Sequence, residues 1–213
     1  MEQFIQKLKR ALAGEKGGLE AQLRMAPEFR SEEIRKRNPD KSPRKSAVMI
    51  LLNPFAEDLS LIFTKRSPRL KVHRGQVSFP GGQKDDSDAD LLQTALREVK
   101  EEIGIKADEI DLLGKLSDLF IPPSNFDVAV FVGVVKRPPK YRINPDEVEE
   151  VVEVPLSMLL QPGNVKRKVF YKTTSGMDRS APYYDVKGLE IWGATAMIVS
   201  ELVELISAQN LYK

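Results

Sequence analysis

Three glutamates, Glu98, Glu101 and Glu102, stand close together in the segment ALREVKEEIGI (residues 95–105). Residues four apart are neighbours on a helix, so Glu98 and Glu102 would repel each other by roughly 0.2–0.5 kcal/mol. A hard divalent cation relieves such repulsion, since Mg²⁺ is usually held by one or two carboxylates together with waters and substrate phosphate oxygens. The spacing therefore favours a metal site for a phosphate-containing substrate. The alternative is an acidic helix face that is only solvated.

The residues around these glutamates predict an amphipathic helix. It begins near Asp88, a good N-cap residue, and stops at Gly104, a good residue just beyond a helix C-terminus. Glu101 lies toward the side away from the core, Arg97 lies elsewhere on the helix, and Lys100 is the only cation predicted among the acids. The apolar stripe that would bury the helix consists of Leu92, Leu96, Val99 and Ile103.

Strand patterns outnumber helix patterns in the rest of the chain. Apolar runs predict strands within residues 46–52, 59–66, 75–80, 110–117, 127–136 and 147–156, and a hairpin from 165–174 and 181–186. Helical spacing predicts helices over 2–13, ending at Gly14, and over 193–210, with a short helical turn at 157–160. This mixture predicts the α+β class, with helices packed on a mixed sheet.

The first 45 residues are predicted to be an N-terminal helical extension and a basic linker, and residues 46–213 the main domain. The segment RKRNPDKSPRKS (35–46) is polar, basic and proline-bearing, which is typical of a surface linker. The apolar face of helix 2–13 would pack either on its own domain or on a partner subunit. Both a monomer and a homodimer therefore remain open.

Composition excludes several classes of protein. The chain has no cysteine and a single histidine, His73, so disulfides, a cysteine zinc site and a two-histidine metal motif are excluded. A formal net charge of +2 gives no global field for nucleic acid or an anionic membrane. No apolar run approaches the roughly 18 residues needed to span a bilayer, and the N-terminus lacks the apolar core of a secretory signal. We expect a cytoplasmic protein that binds a small molecule, with no nucleic-acid or membrane partner.

The longer stretch GGQKDDSDADLLQTALREVKEEIGI (81–105) resembles the Nudix box, the loop–helix–loop signature of the Nudix hydrolases. The family pattern is Gly, five residues, Glu, seven residues, then Arg-Glu-apolar-x-Glu-Glu-x-Gly-apolar. The chain departs from it at Asp88, which stands where the early glutamate is expected and is separated from Arg97 by eight residues instead of seven. The residues that match are Gly82, Arg97, Glu98, Val99, Glu101, Glu102, Gly104 and Ile105.

The resemblance implies the Nudix fold, an α/β/α sandwich around a mixed β-sheet, and hydrolysis of a nucleoside diphosphate linked to a further group. It also implies that Glu98 and Glu102 bind Mg²⁺ or Mn²⁺, with Glu101 as a further ligand or a base. Arg97 would orient a box glutamate, and the backbone carbonyl of Gly81 would be an extra ligand. In this family a glutamate outside the box often serves as base, for which the sequence leaves three candidates: Glu147, Glu149 and Glu150.

The segment LIFTKRSPRLKVHRGQVSFPGG (61–82) is similar to an additional motif of the coenzyme A pyrophosphatase branch. That motif reads Leu-Leu-Thr-x-Arg-Ser, followed after three residues each by Arg, Gly and Phe-Pro-Gly-Gly. Lys71 replaces the second arginine, which keeps the charge but loses the bidentate fork. By this resemblance the substrate-binding residues are Arg66, Ser67, Lys71, Gly75 and Phe79.

Coenzyme A carries a 3′-phosphate beside its pyrophosphate, so its pocket needs more cations than the pocket for an ADP-sugar. The segment supplies Lys65, Arg66, Arg69, Lys71 and Arg74; their alternative role is to protect an edge strand against aggregation. The implied reaction converts coenzyme A, or an acyl derivative, to 3′,5′-ADP and 4′-phosphopantetheine or its acyl form. The rivals are a Nudix enzyme for ADP-ribose or another nucleoside diphosphate derivative, and a regulator that binds a nucleotide without cutting it.

Overall fold

A computed structural model describes residues 1–27, 31, 34, 35, 42–172 and 178–212 of the chain. The helices are α1 (Glu2–Ala13), α2 (Gly18–Leu23), α3 (Leu91–Ile103), α4 (Leu156–Leu159) and α5 (Gly193–Ala208). The strands are β1 (Arg44–Asn53), β2 (Ser60–Arg66), β3 (Val77–Ser78), β4 (Gly81–Gln83), β5 (Ile110–Lys115), β6 (Leu119–Ile121), β7 (Phe126–Val135), β8 (Val148–Pro155), β9 (Val165–Lys172), β10 (Asp178–Val186) and β11 (Leu189–Trp192). Positions 36–41 of the predicted linker and 173–174 of the predicted hairpin lie outside the described residues.

The larger sheet is mixed and is built around β1. Strand β1 runs parallel to β7, from Arg44 opposite Phe126 to Leu52 opposite Val134. Its other edge pairs antiparallel with β2 and with β4, and β2 in turn pairs with β3 and β8. Strands β5 and β6 pair with β7, while β9, β10 and β11 form a second, antiparallel sheet. The predicted hairpin is thus confirmed as β9–β10, with β11 as an additional strand.

Helices cover both faces of the mixed sheet. Successive residues of a strand point to opposite faces, and both sets are buried in β1. Met49 packs in one core with Val99 and Ile103 of α3, whereas Ile50 belongs to a second core that includes α1 and α5. The predicted α+β class and the α/β/α sandwich around a mixed sheet are therefore confirmed. Within the described part of the chain, no helix combines the length and apolar character needed to cross a membrane.

Helix α1 packs on its own domain. Its apolar residues are buried in the same core as Ile50 of β1, and Gly114 of β5 lets the helix approach closely. A Cβ at Gly114 would lie 2.9 Å from the Cβ of Leu12. Of the two interpretations of this apolar face, packing on the same domain is the one found. The division of the chain into two parts at residue 45 stays a prediction. Strand β1 begins at Arg44, so the predicted linker was wrong at its last three residues.

A buried carboxylate joins the two ends of the described chain. Glu201 of α5 is fully buried, and it accepts hydrogen bonds from Gln22 Nε2 of α2 (2.8 Å) and from the backbone N–H of Ser117 (3.1 Å). Gln22 Nε2 also donates to the Ser117 carbonyl at 3.2 Å. Because each buried group finds a partner, α2, the β5–β6 connection and α5 are held as one unit.

Candidate active site

Helix α3 carries the three glutamates, and its first residue is Leu91. The predicted start near Asp88 is wrong, because Asp90 is the N-cap: its Oδ1 accepts a hydrogen bond from the backbone N–H of Gln93 at 2.8 Å. The predicted end is confirmed, since Gly104 follows the helix with a φ of 80°, in the left-handed region that favours glycine.

Asp88 is buried and is bound to Arg97 instead of capping the helix. Arg97 donates from Nε to Asp88 Oδ1 and from Nη2 to Oδ2, both at 3.0 Å, and Thr94 Oγ1 donates to Oδ2 at 2.9 Å. These hydrogen bonds, led by those from Arg97, hold the pKa of Asp88 far below its usual range. Asp88 therefore fixes the arginine, and the described hydrogen bonds account for both of its oxygens.

Arg97 connects this loop to the glutamates. Its Nη1 donates to Glu98 Oε1 at 2.9 Å and to Glu101 Oε2 at 3.0 Å. The expectation that Arg97 lies elsewhere and that Lys100 is the cation among the acids was wrong, because the Arg97 guanidinium contacts both Glu98 and Glu101. Lys100 is exposed. Glu98 is thus held in place by a guanidinium that is itself anchored on Asp88.

Three carboxylates converge at the inner side of α3. Glu98 and Glu102 are joined by Glu147, which lies just before β8, and each offers an oxygen within 4.8 Å of the others. Glu102 is only 4% exposed. Burial, followed by the charge of Glu98, raises the pKa of the Glu102 carboxyl to about 8, and burial also raises the pKa of Glu98.

The trio suits a hard divalent cation. Glu102 Oε2 is buried and finds no hydrogen-bond partner among the residues described, and an unsatisfied buried oxygen of this kind is costly. Oxygen ligands from carboxylates are those that Mg²⁺ and Mn²⁺ prefer. A cation would satisfy the free oxygen and offset the repulsion among the three acids.

Each glycine of β4 allows a close approach, Gly82 to Glu98 of α3 and Gly81 to strand β1. A Cβ at Gly82 would lie 2.4 Å from Glu98 Oε1, and a Cβ at Gly81 would lie 2.4 Å from the carbonyl oxygen of Ala47. The backbone N–H of Gly81 acts to lower the pKa of Glu102, against the larger effect of burial. The role of the Gly81 carbonyl as a metal ligand stays a prediction. Gly82 therefore provides the space that the Glu98 carboxylate occupies.

A turn wrapped around the end of α3 brings Glu147 to the other two acids. The backbone N–H of Arg142 donates to the Ile103 carbonyl at 2.9 Å, and that of Asn144 donates to the Glu102 carbonyl at 3.0 Å. Carbonyls in the last turn of a helix lack intrahelical partners, so the incoming chain satisfies them. Gly104 permits this approach, because a Cβ there would lie 2.6 Å from the Cβ of Arg142.

Comparison with known proteins places this arrangement in a family. Residues 42–173, which include the mixed sheet from β1 to β8 and all of α3, match the model of the NUDIX domain. The chain belongs to the Nudix family. Nudix hydrolases are pyrophosphohydrolases that generally use divalent metal ions, and the carboxylate trio lies within the matched residues.

Similar proteins extend this likeness over most of the chain. The chain is 36% identical over 163 residues to the Nudix hydrolase NudL of Citrobacter koseri, a protein named as uncharacterised, which covers 75% of this chain and 81% of that relative. Among solved structures, the Nudix hydrolase RenU of M. smegmatis gives a TM-score of 0.54 at 15% identity, covering 78% of this chain and 87% of that one. The MutT protein of Methanosarcina mazei Go1 gives 0.51 at 18% identity, covering 81% and 99%. The two structures show the Nudix fold alone.

Three other glutamates predicted as candidates, Glu101, Glu149 and Glu150, lie outside the trio. Glu101 is half-exposed and bonds Arg97, and its role as a ligand or base stays a prediction. Of the three glutamates considered outside the box, Glu147 joins the trio. Glu149 forms an ion pair with Lys65 at 3.1 Å, and Glu150 is exposed. Sequence alternation alone could not distinguish them, because Glu147 precedes the strand in which the other two lie.

Two residues predicted to bind substrate are inside the protein. Ser67 is 2% exposed, and its Oγ donates to the Pro145 carbonyl at 3.1 Å. Phe79 is 3% exposed and stacks on Phe63 with ring centroids 4.5 Å apart. The prediction that Ser67 and Phe79 contact the substrate directly is therefore corrected, because both side chains are buried and have partners within the fold.

The other three predicted substrate residues lie at the base and on the surface of the β2–β3 loop. Arg66 ends β2, and its charge acts on Glu102; its Nε is buried without a hydrogen-bond partner in the described part of the chain. Lys71 and Gly75 are exposed. Gly75 has a φ of 65°, which favours glycine, and its N–H donates to the Arg66 carbonyl at 3.0 Å, closing the loop.

Proposed function

We propose that this Nudix hydrolase cleaves the pyrophosphate bond of coenzyme A, or of an acyl derivative, with Mg²⁺ or Mn²⁺. The products would be 3′,5′-ADP and 4′-phosphopantetheine or its acyl form. The observation that carries the proposal is Arg66. Its Nε is buried and has no hydrogen-bond partner among the described residues. Its charge acts on Glu102 of the Glu98–Glu102–Glu147 trio, and it lies at the base of the loop that bears the coenzyme A motif.

In this proposal Glu98, Glu102 and Glu147 hold the cation. Mg²⁺ or Mn²⁺ held there would supply positive charge for the phosphate oxygens, where negative charge develops during attack by water. Arg97 keeps the Glu98 carboxylate in position, and Gly82 of β4 lies directly against it. Arg66 would donate hydrogen bonds to a phosphate oxygen of the substrate, which would satisfy its buried Nε, for which no described residue is a partner.

Four of the five cations at the end of β2 and in the β2–β3 loop separate into two groups, and the fifth, Arg74, donates from Nε to the Leu70 carbonyl. Lys65 and Arg69 are engaged in ion pairs, with Glu149 at 3.1 Å and with Asp146 at 3.0 Å. Arg66 and Lys71 occupy the two basic positions of the coenzyme A motif. We assign Arg66 to the pyrophosphate and the exposed Lys71 to the 3′-phosphate, the group that distinguishes coenzyme A from an ADP-sugar.

The test is a product assay in which the purified protein, with Mg²⁺ or Mn²⁺, receives coenzyme A, ADP-ribose and NADH separately. We expect 3′,5′-ADP to form fastest from coenzyme A, and Glu102→Gln to abolish its formation. Preferential cleavage of ADP-ribose would reject the substrate assignment while leaving the metal site in place. Nucleotide binding without cleavage of any substrate would identify a regulator and reject the enzyme.

Lys71 allows a sharper test of the 3′-phosphate. Lys71→Ala should raise the KM for coenzyme A about tenfold, the equivalent of a charged hydrogen bond. The KM for dephospho-coenzyme A, which lacks the 3′-phosphate, should hardly change. Lys65→Ala is the matched control, because Lys65 already pairs with Glu149. Equal effects of Lys71→Ala on both substrates would show that Lys71 does not read the 3′-phosphate.

A further inference from the structure

The turn at residues 144–148 connects the end of α3 to the end of β2. Within the turn, the backbone N–H groups of Glu147 and Val148 both donate to the Asn144 carbonyl, at 3.1 and 2.8 Å. The N–H of Asn144 donates to the Glu102 carbonyl at 3.0 Å. The turn is therefore closed on itself and attached on one side to a residue of the carboxylate trio.

Ser67 attaches the other side of the turn. Its backbone N–H donates to the Glu147 carbonyl at 2.8 Å, and its Oγ donates to the Pro145 carbonyl at 3.1 Å. One buried serine thus holds the carbonyl of Glu147 itself and that of Pro145, two residues before it. A further ion pair, Arg69 to Asp146, joins the same segments at 3.0 Å, but both of its side chains are well exposed, so it contributes little.

We propose that Ser67 is a positioning residue whose hydroxyl, acting through the Pro145 carbonyl, keeps the Glu147 carboxylate beside Glu98 and Glu102. This inference rests on the proposed function only in treating the trio as the metal site. Ser67 lies within the segment that is similar to the coenzyme A motif, and that similarity predicted contact with the substrate. Its hydroxyl instead acts through the Pro145 carbonyl on the position of the Glu147 carboxylate. The loop bearing Arg66 and Lys71 and the turn bearing Glu147 therefore form one hydrogen-bonded unit.

Removal of the hydroxyl should leave the fold in place. In Ser67→Ala the backbone bond to Glu147 remains, and the exposed Pro145 can direct its carbonyl to water. What is lost is the second attachment, which sets the angle of the turn and hence the position of the Glu147 side chain. Groups that orient metal ligands in this way typically affect metal affinity or activity by about 10–100-fold.

The experiment measures Mn²⁺ binding by electron paramagnetic resonance in the wild type, Ser67→Ala, Glu147→Gln and the double variant. We expect Ser67→Ala to weaken Mn²⁺ binding about tenfold and to add nothing in the Glu147→Gln background. Ser60→Ala is the matched control: Ser60 is a buried serine at the first position of β2, the strand that Ser67 follows, and its Oγ donates to the Asp58 carbonyl at 2.8 Å. Ser60→Ala should bind Mn²⁺ with the same affinity as the wild type. If Ser67→Ala fails to fold, Ser67→Cys, with a weak donor of similar size, replaces it in the same cycle.

Two results would overturn the proposal: unchanged Mn²⁺ affinity in Ser67→Ala, or the same loss in both backgrounds, which would mean that Ser67 acts independently of Glu147. Steady-state kinetics add a second readout. A positioning role lowers kcat with little change in KM, whereas direct substrate contact raises KM. Because the Mn²⁺ cycle needs no substrate, it stands even if coenzyme A proves not to be cleaved, so failure of the proposed function would be recognised separately.

Discussion

At the scale of single residues, the buried Glu102 is the point where stability and metal binding oppose each other. Its carboxyl is almost fully enclosed, faces Glu98 and leaves Oε2 without a partner among the described residues. The ionised form of this carboxyl would be more stable in water than in the metal-free protein. This cost is what a bound cation would offset, so the affinity of the site and the instability of the metal-free state have the same origin.

The first prediction concerns the pH dependence of the metal-free protein. The pKa of Glu102 is about 8 in the folded state, against about 4.3 when unfolded, so the folded state retains a proton between these values. Its free energy of unfolding should fall as the pH rises through this window, by on the order of a few kcal/mol. Glu102→Gln should remove much of this decrease in the free energy of unfolding. Urea unfolding in EDTA, at pH values from about 5 to 9, measures the free energy for both proteins.

The exposed Glu150 gives the control for this experiment, since Glu150→Gln should leave the pH profile unchanged. Parallel profiles for the wild type and Glu102→Gln would contradict the burial argument. Added Mn²⁺ should stabilise the wild type more than Glu102→Gln at pH 8, because only the wild type offers the full trio.

The second prediction concerns Asp88, whose pKa Arg97 holds low. A lowered pKa means that Asp88 stabilises the fold above the pKa of the unfolded chain, about 3.9, and that this contribution is lost as the pH falls toward the folded value. Asp88→Asn should therefore lower Tm at pH 7, and the difference from the wild type should shrink below about pH 4. The neighbouring exposed Asp86 supplies the control, Asp86→Asn. A difference that persists unchanged in acid would show that the charge of Asp88 is unimportant.

At the scale of secondary-structure elements, the site depends on how closely β4 and α3 approach. Gly82 has no side chain, so the strand lies directly against the Glu98 carboxylate. The glycine-rich loop thus determines where Glu98 can be. A small side chain in β4 would occupy the volume of a carboxylate oxygen.

This closeness predicts a large effect of Gly82→Ala. The new Cβ would lie 2.4 Å from Glu98 Oε1, so Glu98 must move away from the trio, and Mn²⁺ affinity and kcat should fall about 10–100-fold. Gly163→Ala is the matched control, because nothing lies within 4 Å of a Cβ at that glycine. Unchanged Mn²⁺ affinity in Gly82→Ala would show that Glu98 is not a ligand.

The secondary-structure elements also explain which parts of the site could be predicted from the sequence. Helix α3, its apolar face and the proximity of Glu98 to Glu102 depend on a local period, which a sequence displays directly. The selection of Glu147 and the burial of Ser67 and Phe79 depend on segments that meet only in the folded chain. Motif matching treated Ser67 as a contact to substrate, since a pattern of residue types does not distinguish a group that touches the ligand from one that holds its neighbour.

At the scale of the whole molecule, the N-terminal helices are part of the core that supports the active site. Leu8 of α1 is fully buried and belongs to the cluster that also contains Ile50 of β1 and Leu202 of α5. Residues ahead of the Nudix domain therefore contribute to the face of the sheet opposite α3. We expect the described elements to unfold together.

Leu8→Ala tests this expectation. The cavity should reduce the free energy of unfolding by about 2–5 kcal/mol, in one transition seen by both circular dichroism and tryptophan fluorescence. Lys9→Ala, at an exposed position of the same helix, should change it little. A separate early transition for α1, with the main transition unaltered, would contradict a common core.

The hydrogen bond between Gln22 and Glu201 spans 179 residues of sequence, and this has a consequence for synthesis on the ribosome. Glu201 emerges from the ribosome 179 residues after Gln22. Until then, α2 has no α5 to contact, and the apolar face of α1 also lacks the strands that come later. Helices α1 and α2 thus reach their final positions only after the elements that hold them have been made, so their assembly runs against the order of translation.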